Sequence, residues 1–281
     1  MLFCFADDTR QRRPSRQGLR PLVGAGAVLL PSDSVAAANR RIEELCGDVG
    51  FGHGDEFKWS PGPELWMRDN LVGHERTAFF TGVLDILADC GAQCLVVAVE
   101  EESNSATGAD TPEQDVTVLL LERVSNRFYY EGDQPGVVIV DRPPGDRARE
   151  NEFLAGCVDA INDDANFSAA NRFALPVISG QSRFVRLLQA ADVVTSSSVA
   201  FIAGEDKHSP PVFERILPTL ARHRGRVGGV GVKLHPDFRL ANLYHWLLGD
   251  THFVRGNSGV PLPLSGRPFA TSSGAFASGT L

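Results

Sequence analysis

The order of apolar segments along this chain restricts it to few architectures. Two apolar stretches, residues 2–6 and 22–30, come first and predict a pair of strands joined as a hairpin. Helical segments then alternate with further apolar stretches at 94–99 and 137–140. Because such alternation is typical of strands covered by helices, the pattern predicts an α/β fold with a mixed sheet flanked by helices.

The chain divides into three regions by sequence pattern. Residues 1–205 contain no clear boundary and are predicted to form one core domain. Residues 206–255 are predicted to form a helical C-terminal extension, with helices at 211–222 and 237–248. The tail, 256–281, is rich in Gly, Pro and Ser and shows little periodicity, so most of it is expected to be mobile.

Composition excludes several classes of protein. The 281 residues are 43% hydrophobic and 22% charged, which does not fit a disordered chain, a collagen or a polytopic membrane protein. A net charge of −8 argues against bulk, sequence-independent nucleic-acid binding, although a local basic strip is compatible with it. Five cysteines without a C-x-x-C motif predict a reducing, cytoplasmic location. No membrane association is expected, because the least charged long run, 187–204, still contains an aspartate and several polar residues.

Two of the apolar strands are followed directly by an aspartate. Asp7 follows the first strand, and Asp141 follows the strand at 137–140. Ligands of open α/β sheets bind at the carboxyl ends of strands, so the two side chains are candidates for one site. Aspartate is also a common turn former at strand ends, and this structural role stays open for either residue.

Asp192 is the only charged residue between positions 187 and 204. It lies in the middle of a predicted helix, where aspartate has a poor propensity and cannot cap the helix. Its neighbours are apolar, so its carboxylate is expected to be buried. A buried carboxylate needs backbone N–H groups, an arginine or a metal ion as its partner.

A fourth candidate carboxylate, Glu56, is separated by one residue from Lys58 in a glycine-rich loop. In an extended segment the two side chains would share one side, with Phe57 and Trp59 on the other. The same spacing is equally compatible with a surface ion pair beside a small aromatic plug.

Several converging carboxylates without cysteine or histidine ligands favour hard cations, which makes Mg²⁺ or Mn²⁺ the expected cofactor. Such clusters serve phosphoryl chemistry, in which bound ions activate water and stabilise the leaving oxygen.

Four segments resemble the motifs of the DUF3800 family, and they occur in the family's order. Residues 5–9 resemble its opening D-E-S strand, 56–58 its E-x-K element, and 140–142 its hydrophobic-Asp motif. Residues 188–194 resemble its L-Q-L-A-D-L-I helix, the most distinctive of the four. The resemblance covers residues 1–205 approximately. It implies an RNase H-like fold and a metal-dependent nuclease site formed by Asp7, Glu56, Asp141 and Asp192.

The chain departs from that pattern at a few positions. Asp8 and Thr9 replace the usual Glu-Ser pair, Arg10 stands where glycine is common, and Ala190 replaces a leucine. In an RNase H-like sheet the strand beside the first one often supplies an acid, so Glu100 is an alternative to Asp141. The motif match favours Asp141.

These residues support a divalent-metal-dependent nuclease or phosphodiester hydrolase acting on nucleic acid or a nucleotide. Lys58 would orient Glu56 or neutralise phosphate charge. The alternatives are a non-catalytic nucleic-acid- or protein-binding module on the same fold, and a hydrolase for small nucleotides. Arginines of the first hairpin would contact substrate phosphates, unless they form only a solvated loop. The candidates for these contacts are Arg10, Arg12, Arg13 and Arg16.

Overall fold

A six-stranded mixed sheet lies at the centre of the computed structural model, which describes residues 1–52, 54–132, 134–163, 166, 168–255 and 258–275. The strand order across the sheet is β5-β4-β1-β2-β3-β6. Only β2 runs against the other five strands, so the carboxyl ends of those five meet at one edge. The predicted mixed α/β sheet is confirmed, and it is compatible with an RNase H-like α/β fold. The strands are β1 (Leu2–Gln11), β2 (Leu22–Pro31), β3 (Gln93–Glu100), β4 (Val137–Asp141), β5 (Ile178–Gly180) and β6 (Val232–His235).

Helices cover both faces of this sheet. One face packs against α1, α3 and α6, and its core includes Phe5 and Val28; the other packs against α4 and α5, and its core includes Cys4 and Ala6. A separate hairpin of β7 (His252–Arg255) and β8 (Ser258–Pro261) follows the last helix. The helices are α1 (Val35–Asp48), α2 (Met67–Asn70), α3 (Gly73–Asp89), α4 (Pro112–Tyr130), α5 (Arg147–Asn162), α6 (Arg186–Ile202), α7 (Ser209–Ile216) and α8 (Asp237–Leu248).

Helix α6 approaches the sheet closely because β2 presents glycine at the contact. A Cβ atom on Gly26 would lie 2.4 Å from Thr195 Oγ1 and 2.9 Å from the Leu95 carbonyl oxygen. A Cβ atom on Gly24 would lie 2.6 Å from Val199 Cγ2. The paired glycines of β2 therefore make room for the helix that carries Asp192.

Several predicted boundaries were wrong. β1 continues to Gln11 rather than ending at residue 6, because it pairs with β2 along its whole length, through Gln11 opposite Leu22. The strand predicted at 175–178 forms later, as β5. The helix predicted from about 64 to 89 is divided into α2 and α3, since Val72 between them is extended.

The C-terminal extension contains α8 where it was predicted and α7, which ends at Ile216 rather than at 222. It also contains a strand that was not predicted. Residues 232–235 form β6, which pairs in parallel with β3 through Val96 opposite Val232. Four residues of alternating polarity give too short a pattern to predict a strand. The extension therefore completes the edge of the central sheet.

Part of the tail packs against the core, which differs from the expected mobile tail: Leu262, Pro268 and Phe269 are buried, whereas 258–261 are exposed. Phe269 is completely buried, and its carbonyl oxygen accepts a 2.8 Å hydrogen bond from Trp246 Nε1. Asn242 Nδ2 donates to the carbonyl oxygens of Leu264 and Pro268. Isolated apolar anchors in a Gly/Pro/Ser-rich sequence are sufficient for docking. Residues 256, 257 and 276–281 lie outside the described residues.

Across the described ranges, none of the helices combines the length and the apolar character needed to cross a membrane.

The glycine contact between β2 and α6 yields a stability prediction. Gly26→Ala should lower the free energy of unfolding by about 1–3 kcal/mol, because the added methyl group overpacks against Thr195 and the β3 backbone. Gly47→Ala is the matched control: Gly47 lies in α1 with no atom within 4 Å of the added Cβ, so the change should stabilise by up to about 1 kcal/mol. Chemical denaturation of the two variants measures both effects. Equal stability of Gly26→Ala and the unmodified chain would contradict this packing.

Candidate carboxylate–lysine site

Asp7 and Asp141 lie side by side on neighbouring parallel strands. The register pairs Ala6 of β1 with Val140 of β4, so the next residue of each strand is an aspartate. Because strand residues alternate between faces, both aspartates share the face on which Phe5 and Ile139 pack beneath α6. Adjacent strands are about 4.8 Å apart, which brings the two side chains together.

Helix α6 adds Asp192 to the same place. Its side chain is buried, and Oδ2 accepts a 2.6 Å hydrogen bond from the backbone N–H of Trp59. Ser196, one turn later on the helix, donates its hydroxyl to Asp192 Oδ1 at 3.1 Å. Burial raises the pKa of Asp192 above its usual 3.8, even though both hydrogen bonds and the charge of Lys58 oppose the shift.

Asp7 is affected both by burial and by the charges of its neighbours. Burial raises the pKa of Asp7 well above its usual 3.8, and the negative charges of Asp192, Asp141 and Asp8 raise it further. The Asp8 backbone N–H donates to Asp7 Oδ1 at 2.7 Å, which opposes the shift. Asp7 is therefore the carboxylate on which repulsion within the site is concentrated.

The segment 56–59 presents its charged side chains to the aspartates. Lys58 Nζ lies 3.5 Å from Glu56 Oε1 and 3.9 Å from Asp141 Oδ2. On the opposite side, Phe57 is buried against Phe79, with ring centroids 5.2 Å apart. The predicted alternation of charged and aromatic side chains in this segment is thus confirmed.

Lys58 is the counter-charge of the site. Burial alone would lower the pKa of its ammonium group, but four surrounding carboxylates outweigh burial and raise that pKa. The ammonium therefore stays charged and offsets part of the negative charge around it. The carboxylates that act on it are those of Glu56, Asp192, Asp7 and Asp141.

Ser182 and Gln189 organise this arrangement, and the sequence analysis missed both. Ser182 donates its hydroxyl to Glu56 Oε1 at 2.6 Å and its backbone N–H to Asp141 Oδ1 at 2.9 Å. Gln189 of α6 donates to the Ser182 carbonyl oxygen and accepts from the Phe57 N–H. Gln189 precedes Asp192 by three residues, so the two side chains share one face of the helix. This spacing was the feature of the sequence that could have predicted its role.

Glu100 lies away from this site. In the register, Glu100 of β3 pairs with Leu22 of β2, which pairs with Gln11 of β1. Gln11 is four residues beyond Asp7, or roughly 13 Å along the strand. The Glu100 carboxylate instead bonds to Arg239 Nε at 2.8 Å and to the backbone N–H of Arg20 at 3.1 Å. The structure therefore places Asp141, and not Glu100, beside Asp7.

The hairpin arginines occupy different environments. Arg10 pairs with Glu101 and Glu113, whereas Arg16 donates to carbonyl oxygens that include those of Phe201 and Ile202 at the end of α6. The loop that carries these arginines begins away from the site, because β1 runs four residues beyond Asp7 before it ends at Gln11. Arg12, Arg13 and Arg20 are exposed in this loop, and Arg20 Nε lies 3.8 Å from Glu102 Oε2.

Hard oxygen donors dominate the site, which is the donor chemistry that Mg²⁺ or Mn²⁺ prefers. Within the part of the chain that the structure describes, however, no three histidine, cysteine, aspartate or glutamate side chains are grouped so that they could hold a metal ion. The carboxylates already have other partners: Trp59 and Ser182 donate to Asp192 and Glu56, and Lys58 pairs with Glu56 and Asp141. The donor types fit a divalent cation, and side-chain movement would be needed to chelate it.

Comparison with known proteins adds no relative: no family model matches the chain, and the search of curated proteins finds no significant match. The resemblance to the DUF3800 family stays a prediction.

The raised pKa of Asp7 predicts how a variant responds to pH. An aspartate whose pKa is raised on folding destabilises the folded chain once pH exceeds its usual 3.8, and this penalty disappears below that value. Asp7→Asn should therefore melt at a higher temperature than the unmodified chain at about pH 7 in EDTA. The difference should shrink as pH falls toward about 4.

Thermal denaturation across this pH range measures the effect, with Asp206→Asn, at an exposed position, as the control. A lower melting temperature for Asp7→Asn at neutral pH would show instead that the carboxylate is a stabilising acceptor.

Proposed function

We propose that this protein is a divalent-metal-dependent phosphodiester hydrolase of the nuclease class, with Mg²⁺ or Mn²⁺ as its cofactor. The observation that carries the proposal is the convergence of carboxylates on the Lys58 ammonium, which lies 3.5 Å from Glu56 Oε1 and 3.9 Å from Asp141 Oδ2. The charges of Asp192 and Asp7 also act on this group. Carboxylate clusters of this kind suit the binding of cations and, through them, of phosphate groups. The residues concerned are Asp7, Glu56, Lys58, Asp141 and Asp192.

Electrostatics support cation binding at this position. The repulsion that raises the pKa of Asp7 is the unfavourable energy that a bound cation would relieve. Asp7, Asp141 and Asp192 would hold the ion, with Glu56 at the rim. A divalent ion bound there would activate water and neutralise charge on the phosphate.

Lys58 has a direct part in this proposal. Its side chain is 34% exposed, so it can reach solvent and can contact a phosphate oxygen while remaining close to Glu56. Ser182 fixes Glu56 from the other side through its hydroxyl. Together the two residues orient the Glu56 carboxylate, which would accept a proton from the attacking water or position that water.

The substrate proposed is nucleic acid or a nucleotide. An acidic chain gives little general attraction to a phosphate backbone, so local cations must supply the contacts. Arg12 and Arg13, exposed in the loop after β1, are proposed to contact phosphates at a distance from the site. Arg10 and Arg16 would act indirectly, because Arg10 pairs with acidic side chains and Arg16 binds backbone carbonyl groups.

One observation favours the alternative of a non-catalytic nucleic-acid- or protein-binding module. Lys58 already pairs with Glu56 and Asp141, and in the described residues the carboxylates are not grouped for chelation. In that case the ion pairs would be purely structural, and neither Mg²⁺ nor Mn²⁺ would bind.

Addition of Mn²⁺ distinguishes the two functions. Because Mn²⁺ would bind the folded state alone, it should raise the melting temperature. At a concentration 100-fold above Kd, the free energy of unfolding should increase by about 2.7 kcal/mol. Asp192→Asn should abolish this increase and reduce Mn²⁺-dependent hydrolysis of single-stranded DNA, RNA and bis(p-nitrophenyl) phosphate to background. Asp206→Asn, which changes the same charge at an exposed position, should leave both unchanged.

The absence of any Mn²⁺-induced stabilisation and of any turnover would reject the hydrolase proposal. An undiminished increase in Asp192→Asn would place the ion elsewhere.

A further inference from the structure

A cavity of about 310 Å³ lies beside Trp59, whose backbone N–H donates to Asp192. It is formed between the end of β1, α3 and the start of α7. Its volume is at the lower end of the range for small-ligand pockets, roughly 300–1,000 Å³. Such a space fits one small ring system with a few substituents. Its walls include Gln11, Trp59, Ser60, Thr77, Phe80 and His208.

A second cavity of about 60 Å³ adjoins the first and links it to the site. Both cavities are lined by Gln11, Trp59 and Ala200. The smaller one is also lined by Thr9 and Ser196, and the Ser196 hydroxyl donates to Asp192 Oδ1. A ligand seated in the larger cavity could therefore extend past Ser196 to the carboxylates.

The charged residues of the larger cavity are already engaged within the protein. The Arg76 guanidinium donates to the carbonyl oxygens of Leu71, Met67 and Arg68. The Glu205 carboxylate accepts from the backbone N–H groups that begin α7, including that of Ser209 at 2.6 Å. Neither residue is arranged to neutralise a second phosphate or another charged ligand group.

What this cavity offers is an aromatic wall and neutral polar groups. The Trp59 and Phe80 rings lie 5.5 Å apart and form one wall. Gln11, Ser60 and Thr77 contribute an amide and two hydroxyl groups. A flat, uncharged ring with hydrogen-bonding edges is the chemical class that matches these walls, because stacking on aromatic side chains tolerates any nucleobase.

We propose that this cavity binds the nucleoside of a nucleotide whose phosphate lies at the carboxylate–lysine site. This inference rests on the proposed function, since the phosphate group at that site connects the two. The base stacks against Trp59, and the sugar passes Ser196. One nucleoside fits, so the substrate is a free nucleotide or the unpaired terminal nucleotide of a strand, and not the interior of a duplex.

Trp59 also couples base binding to the site. Its backbone N–H holds Asp192 Oδ2 at 2.6 Å, while its side chain lines both cavities. Placement of a base against the indole therefore fixes the segment that positions Asp192. Trp59 acts as a positioning residue for that carboxylate and as a specificity residue for the nucleoside.

Calorimetric titration in the presence of Mg²⁺ tests the cavity through binding, without relying on turnover. AMP should bind about tenfold or more tightly than ribose 5-phosphate, which has the same phosphate and sugar but no base. Ala200→Leu, which fills the cavity, and Trp59→Leu, which removes the stacking wall, should each abolish the preference. Gln11→Ala should weaken AMP binding, whereas Gln17→Ala, at an exposed glutamine of the loop after β1, should not. Melting temperatures establish that each variant is folded.

Equal affinity for AMP and ribose 5-phosphate in the unmodified chain would overturn the proposal, as would an undiminished preference in a folded Ala200→Leu variant. Two further ligands distinguish the sources of the nucleoside. These are an oligonucleotide with an unpaired end and a blunt duplex, and their affinities are compared with that of AMP. If AMP binds most tightly, the substrate is a free nucleotide; if the oligonucleotide binds most tightly, the substrate is a strand end. Tightest binding of the blunt duplex would contradict the proposal.

The outcome is separable from that of the proposed function. A preference for AMP without hydrolysis of any phosphodiester would reject the hydrolase and keep the nucleoside cavity. The opposite outcome would be equal hydrolysis of methyl p-nitrophenyl phosphate and of nucleotide diesters, together with equal binding of AMP and ribose 5-phosphate. That outcome would support the hydrolase proposal and reject the nucleoside cavity.

Discussion

Repulsion among buried and half-buried carboxylates, offset by one ammonium group, is the interaction on which the candidate site depends. Burial and the charges of Asp192 and Asp141 raise the pKa of Asp7, and the same carboxylates raise the pKa of Lys58. A cluster of this kind costs stability in the absence of a further cation. Proteins retain such arrangements mainly where chemistry requires them, although structural ion-pair networks also perturb pKa values.

The fold brings these charges together through backbone geometry. Parallel pairing of β1 and β4 sets Asp7 beside Asp141, and two glycines in β2 admit α6 close enough to deliver Asp192. Two kinds of contact hold the segment at 56–59. Its aromatic side chains pack against aromatic rings of α3, and Glu56 accepts a hydrogen bond from Ser182. The site therefore stands on rigid elements, and Trp59 also lines the adjoining cavity.

Much of this arrangement could be predicted from local sequence patterns, because those patterns reflect burial. Apolar strands followed by aspartate predicted Asp7 and Asp141, and a single charge on an apolar helix predicted Asp192. Features that depend on distant pairing could not be predicted in this way. β6 forms because β3 offers an unpaired edge, and Ser182 and Arg16 acquire their roles from residues far away in the sequence. The packing of 262–269 against the core likewise depends on a few apolar residues, which overall composition does not reveal.

Anomalous scattering from crystals soaked in Mn²⁺ tests most directly whether the carboxylates form a cation site. We expect a Mn²⁺ peak within coordination distance of Asp7 and Asp192, with the Lys58 ammonium displaced from its present position between Glu56 and Asp141. A Lys58 ammonium that keeps its 3.5 Å contact with Glu56 at saturating Mn²⁺, with no peak among the carboxylates, would contradict the account. The cluster would then be a self-contained ion-pair network.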